Sequence, residues 1–129
     1  MSVRYGLIGC GMMGREHLAN IALTGGAHAR AIFEPDAEMA AAAARMVPDA
    51  EMVASIDDLL AVRDLDCLLI ASPNHCHVAQ LETIAASVTL PILVEKPLFT
   101  DPADLPRIEA FRDAYAAPVW VAMEYRYMP

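Results

Sequence analysis

Val3-Arg4-Tyr5-Gly6-Leu7-Ile8-Gly9-Cys10-Gly11-Met12-Met13-Gly14 decides how this 129-residue chain is read. A short apolar strand runs into a glycine-rich turn, and the turn opens a helix. Gly9, Gly11 and Gly14 are spaced G-x-G-x-x-G, and each glycine has its own task where such a turn receives a dinucleotide. Gly9 allows the tight turn, Gly11 lets the backbone approach a pyrophosphate, and Gly14 lets the helix lie close on the strand. Met12 and Met13 begin that helix, whose unpaired N–H groups and positive dipole end suit phosphate. A plain strand–turn–helix connection carries the same glycines, so the motif needs its context. The context is Glu34, 20 residues after Gly14 at the end of the next apolar run, Ala27 to Phe33. A carboxylate there takes the adenosine ribose hydroxyls.

Working outward, the helix after the turn spans Met12 to Leu23, with Gly14, Leu18, Ile21 and Ala22 on one apolar face and Gly25-Gly26 as its stop. Pro35 falls near the first position of a second helix that runs to Met46. Its Met39, Ala43 and Met46 share a face, which reads as core packing. Met52-Val53 is a short third strand. Ser55 to Asp58 resembles a capping box that opens a short helix through Val62. Cys67 to Ala71 is a continuous apolar run, as expected of a strand buried on both faces. A helix from His75 to Ser87 follows, with His77, Leu81, Ile84 and Val88 on one stripe. Ile92 to Glu95 is a fifth strand. Thr100-Asp101-Pro102 starts a fifth helix that carries Ile108, Phe111 and Tyr115 inward. Val119 to Met123 is a sixth strand, from which Glu124 to Pro129 trails. The alternation predicts a single α/β domain: a doubly wound, parallel six-stranded Rossmann sheet of order 3-2-1-4-5-6, with ligands at the carboxyl ends of the strands. Gly9 to Met12, Glu34, Ser72 to His77, Glu95 to Pro97, and Tyr125-Arg126 all fall at that edge.

Composition narrows the partners. The net charge of −8 argues against nucleic acid or an anionic membrane surface. No apolar run is long enough to cross a bilayer, and the start of the chain has no leader pattern, so a cytoplasmic protein is expected. Cys10, Cys67 and Cys76, an odd count without paired spacing, fit free thiols. The basic residues include a single lysine, Lys96. Residues 75 to 77 read His-Cys-His, but adjacent helical positions point in different directions and no second ligand cluster exists, so no metal site is expected. Asn74 suits either a helix cap or a ribose contact.

Four segments together resemble the glucose-fructose oxidoreductase / inositol dehydrogenase / rhizopine-catabolism family of oxidoreductases. They are Gly9 to Gly14, Ser72-Pro73-Asn74-His75-Cys76-His77, Glu95-Lys96-Pro97 and Tyr125 to Pro129. The second matches the family's P-N-x-x-H and the third its E-K-P, in the expected order. The resemblance implies an NAD-dependent oxidoreductase that moves a hydride from the carbinol carbon of a sugar, polyol or related secondary alcohol. It also implies a second domain, beyond Pro129, that supplies most of the substrate pocket. The chain is therefore expected to be an N-terminal part, inactive alone. The apolar patch left by the missing domain would promote self-association, which leaves a homo-oligomer open.

By the same resemblance Lys96 assists proton transfer at the substrate hydroxyl, and a cis Lys96–Pro97 bond is expected. Burial and an oxidised nicotinamide would both favour its neutral form; position alone also fits a surface lysine. Glu95 should point away from Lys96, because side chains alternate along a strand. Gly9, Gly11, Met12, Met13, Gly14, Glu34, Ser72, Pro73, Asn74, His77, Glu95, Lys96 and Arg126 are the candidate cofactor contacts. His77 suits a place beside the cofactor or a packed position on the sheet; Arg126 suits the nicotinamide end or a frayed terminus. Glu34 and Asp36 favour NAD over NADP, since a 2′-phosphate would meet carboxylates, and Arg30 lies about 13 Å back along its strand. Two other readings are an NAD-dependent glycosidase branch of the same family and a dinucleotide-binding module without chemistry.

Overall fold

The computed structural model describes residues 1–128. Six parallel strands, β1 (Val3–Ile8), β2 (Ala27–Phe33), β3 (Glu51–Val53), β4 (Cys67–Ile70), β5 (Ile92–Glu95) and β6 (Val119–Ala122), form one sheet. Its order is β3-β2-β1-β4-β5-β6, as the alternation predicted. The helices are α1 (Met12–Leu23), α2 (Ala37–Met46), α3 (Ile56–Ala61), α4 (His77–Ser87) and α5 (Leu105–Ala114).

The strand side chains sort by their period of two. Leu7, Ile32 and Leu69 join Leu18 and Ile21 of α1 and Ala43 of α2 in one apolar cluster. Their neighbours Ile8, Ala31, Leu68 and Ile70 join Leu59, Leu81, Ile84 and Ile108 of α3, α4 and α5 in the other. Leu7, Ile8, Ile32, Leu68 and Ile70 have no measurable exposure, and each such side chain contributes about 1.5–3 kcal/mol of burial. Gly6 lets β1 fit among these neighbours: a Cβ there would lie 2.9 Å from Leu68 and 3.0 Å from Leu65.

The helix ends follow local chemistry. Gly25, at φ 68°, takes the left-handed position beyond α1. Ser55 accepts from the Asp58 N–H at 3.0 Å and donates its hydroxyl to the Asp58 carboxylate at 2.7 Å. Tyr115 closes α5 by donating to the Leu90 carbonyl at 2.7 Å.

Several boundaries differ from the sequence reading. Asp36, not Pro35, opens α2, because its carboxylate accepts the Met39 N–H at 2.9 Å. Met39 and Met46 are not core: they are 40% and 44% exposed, while Ala43 between them is buried. The period identified a shared face, but small Ala43 is the part of it that touches the sheet. Ala22 is likewise exposed. A 3-10 turn, Asn74–Cys76, precedes α4, so that helix starts at His77. A second such turn, Pro102–Asp104, capped by Asp101, precedes α5. Residues 124–127 form a 3-10 turn where a trailing segment was expected. Pro129 lies outside the described residues.

Candidate functional site

The carboxyl ends of β1, β2 and β4 enclose a cleft of about 520 Å³. Gly9, Gly11, Met12, Met13, Glu34, Ser72 and Pro73 from the sequence analysis all line it. The three glycines are there for different physical reasons. Gly9 has φ +91°, and a Cβ on it would lie 2.6 Å from the Ser72 backbone. A Cβ on Gly14 would lie 2.4 Å from the Gly9 carbonyl oxygen. These two are required by the fold. Gly11 is not held in that way: its Cβ would meet only the Met39 sulfur, at 3.9 Å, and its φ of −63° lies outside the left-handed region. The space a side chain would take at Gly11 is open cleft, beside the first N–H groups of α1. Such a cradle, with helix N-terminal donors at its floor, fits a dinucleotide pyrophosphate.

Glu34 closes the turn from the β2 side. Its Oε2 accepts the Cys10 N–H at 2.6 Å and its Oε1 accepts the Asp36 N–H at 2.9 Å. Two donors fix the carboxylate, and its remaining lone pairs stay available to hydroxyls. Cys10, sealed beneath the turn, has its thiol pushed up to about 12 by burial and then by the nearby Glu34 charge. Arg30 points elsewhere, to Glu51 at 3.1 Å and Asp64 at 3.8 Å.

The opposite wall is the loop after β4. Ser72 donates to the Gln80 side-chain amide oxygen Oε1 at 2.5 Å, and Cys76 and Gln80 line the cleft with it. The sequence reading missed Gln80, Cys76 and Met39 as wall residues. Gln80 lies two turns past Ser72, a spacing that could have shown it. Asn74 is exposed, and its side chain caps neither the 3-10 turn nor α4.

His77 stands behind this wall, fully buried. Its Nδ1 lies 2.8 Å from the Pro97 carbonyl oxygen and its Nε2 lies 3.1 Å from that of Ser72. It stands between the cleft loop and the segment that follows β5, within reach of both carbonyls, and does not line the cleft. The Lys96–Pro97 bond is cis. Lys96 is exposed; its backbone N–H donates to Glu95 Oε2 at 3.3 Å.

Glu95 lies on the Leu93 side of β5 and is 5% exposed. His17 of α1 holds its Oε1 at 2.6 Å. Both border a second cavity of about 450 Å³, with Met13, Asn20, Trp120 and Met123. Glu95 is thus outside the dinucleotide cleft, and His17, which the sequence reading passed over, is its partner. Arg126 is exposed on the last 3-10 turn and lines neither cavity. Among the described residues no helix is long and apolar enough to cross a membrane, and Cys10, Cys67 and Cys76 are free.

Comparison with known proteins agrees with this geometry. Residues 3–123 match the profile of an oxidoreductase family described as having an NAD-binding Rossmann fold. Inositol 2-dehydrogenase of Corynebacterium glutamicum strain R is 46% identical over 101 residues, covering 78% of this chain and 30% of that protein. The myo-inositol dehydrogenase of Lactobacillus casei, crystallised with NAD(H) and myo-inositol, superposes with a TM-score of 0.87 at 28% identity, over 99% of this chain and 38% of that one. The WlbA dehydrogenase of Bordetella pertussis, crystallised with NADH and UDP-GlcNAcA, superposes with a TM-score of 0.87 at 28% identity, over 98% and 38%. The chain spans about a third of the length of the relatives it matches. A glycine turn with an open second glycine, a carboxylate clamped at the end of β2 and a family match over nearly the whole chain lead to one conclusion: this chain belongs to the oxidoreductase family with the NAD-binding Rossmann fold.

Proposed function

We propose that this chain is the cofactor-binding part of an NAD-dependent dehydrogenase of a cyclic polyol or related sugar. The observation that carries the reading is the cradle at Gly11, which the fold leaves empty of side chain although it does not need glycine there. The α1 N-terminus binds the pyrophosphate through its free N–H groups. Glu34 accepts the adenosine ribose hydroxyls with the lone pairs that Cys10 and Asp36 leave free. Bound NAD supplies the hydride acceptor. Lys96, beyond β5, hydrogen-bonds the substrate hydroxyl and takes its proton. His77 and Glu95 support the loops on either side of that lysine, and neither touches the cofactor. The inositol dehydrogenases among the relatives support a polyol substrate.

The relatives' greater length supports a second domain as the source of most substrate contacts. The exposed Trp120, Met123, Tyr125 and Tyr127 form the surface it would cover. The isolated chain should therefore bind NAD weakly and turn over no polyol. Calorimetric titration tests the cofactor assignment: NAD should bind at least about tenfold more tightly than NADP, a difference of about 1.4 kcal/mol. Tighter NADP binding would overturn it.

A further inference from the structure

Glu95 is a carboxylate on a sheet face whose other β5 contributor, Leu93, packs against the α1–α2 cluster. An apolar residue would serve the fold there with less desolvation. What the carboxylate does instead is bridge. One oxygen is held by His17 at 2.6 Å and the other receives the backbone N–H of Lys96 at 3.3 Å. His17 lies one turn beyond Gly14 on α1, the helix whose first turn carries the glycines. The end of β5 is thereby fastened to the helix that floors the cleft. From the opposite side, His77 stands between the carbonyl oxygens of Pro97 and Ser72. Glu95-Lys96-Pro97 is therefore bracketed by two histidine contacts, one from the helix that floors the cleft and one beside the loop after β4.

We infer that His17, through Glu95, is a positioning residue for Lys96, setting where its amine stands relative to bound NAD. This rests on the proposed placement of Lys96 beside the nicotinamide. His17 touches neither cofactor nor substrate. It acts by fixing the carboxylate that fixes the lysine's backbone, and an exposed side chain on an unfixed strand end would sample many directions.

Because Lys96 is the single lysine, reductive methylation with ¹³C-formaldehyde labels its amine and the N-terminus only. The test compares the ¹³C-methyl resonance of Lys96 without and with saturating NAD in the wild-type chain, His17→Leu and His17→Gln. Wild type should show an NAD-induced shift. His17→Leu, which keeps bulk but loses the donor, should lower that shift to about a third or less, and His17→Gln, which restores an N–H donor, should recover most of it. Should His17→Leu fail to fold, Glu95→Gln supplies the same comparison with the side-chain volume kept. A full NAD response in folded His17→Leu overturns the positioning role while leaving Lys96 beside the nicotinamide. No response in wild type overturns that placement, and the inference with it.

Discussion

The two ends of the strand edge are built to different degrees of completion. At the glycine end the groups are held: Gly9 and Gly14 by neighbouring backbone that leaves no room for a Cβ, and Glu34 by two backbone N–H groups. At the lysine end the supports are bonded, but Lys96 itself is exposed, as is Arg126 on the last 3-10 turn. The difference teaches that, under the proposed function, cofactor recognition and chemistry are separable. Preorganised donors bind a pyrophosphate with nothing else present, whereas a proton-transferring lysine needs a desolvated site before it works near neutral pH.

The largest effect should come from the glycine end. Gly14→Ala forces a methyl group onto the Gly9 carbonyl and should cost about 3 kcal/mol or more of stability by urea unfolding. An unchanged midpoint would show that the turn is looser than its contacts imply. Replacing Glu34 with Gln keeps the shape but weakens the bonds to Cys10 and to the ribose. NAD should bind about tenfold more weakly, about 1.4 kcal/mol by calorimetry, with the NAD-to-NADP preference reduced.

A chemical contrast sharpens the same comparison. Burial pushes the Cys10 thiol up to about 12 and the Cys67 thiol to about 11, so neither forms thiolate at pH 8. Cys76, partly exposed in the cleft wall, should react alone with a maleimide, and NAD should slow it. Equal rates with and without NAD would place the cofactor elsewhere.

The smallest effect lies away from the site. Arg4 donates to Asp66 through its side chain and backbone, which holds the Asp66 carboxyl down at about 2, against about 3.9 when unfolded. A depressed folded value stabilises above the unfolded pKa and is lost as pH falls through the folded one. Arg4→Met should therefore be slightly less stable than wild type at pH 7, and the gap should close between about pH 4 and pH 2. A gap that persists at pH 2 would point to lost packing.

Much of this was legible in the sequence, and the exceptions share a cause. Cys67 to Ala71 and Ile92 to Glu95 read as strands because buried parallel strands are nearly continuous apolar runs. The first helix was read to its ends because glycines mark both of them. Periodicity could not say that Met39 faces the cleft, since it identifies a stripe and not what covers it. His17 gave no signal at all: a histidine on an amphipathic helix is unremarkable until its partner, 78 residues away, is brought beside it. A buried acid ending a strand, with a histidine one turn past the glycine turn, was the available clue. Asn74 looked like a cap, but the 3-10 turn before α4 moved it out of reach.

Gly11→Leu tests the central claim most directly, because its Cβ would start in the open cradle, with only the Met39 sulfur in contact at 3.9 Å. Unfolding by heat and urea should show a loss of only about 1 kcal/mol, that of replacing an N-cap glycine with an apolar residue, while calorimetry should show NAD binding weakened at least about thirtyfold, about 2 kcal/mol. A folded Gly11→Leu chain that binds NAD as tightly as wild type would contradict the account.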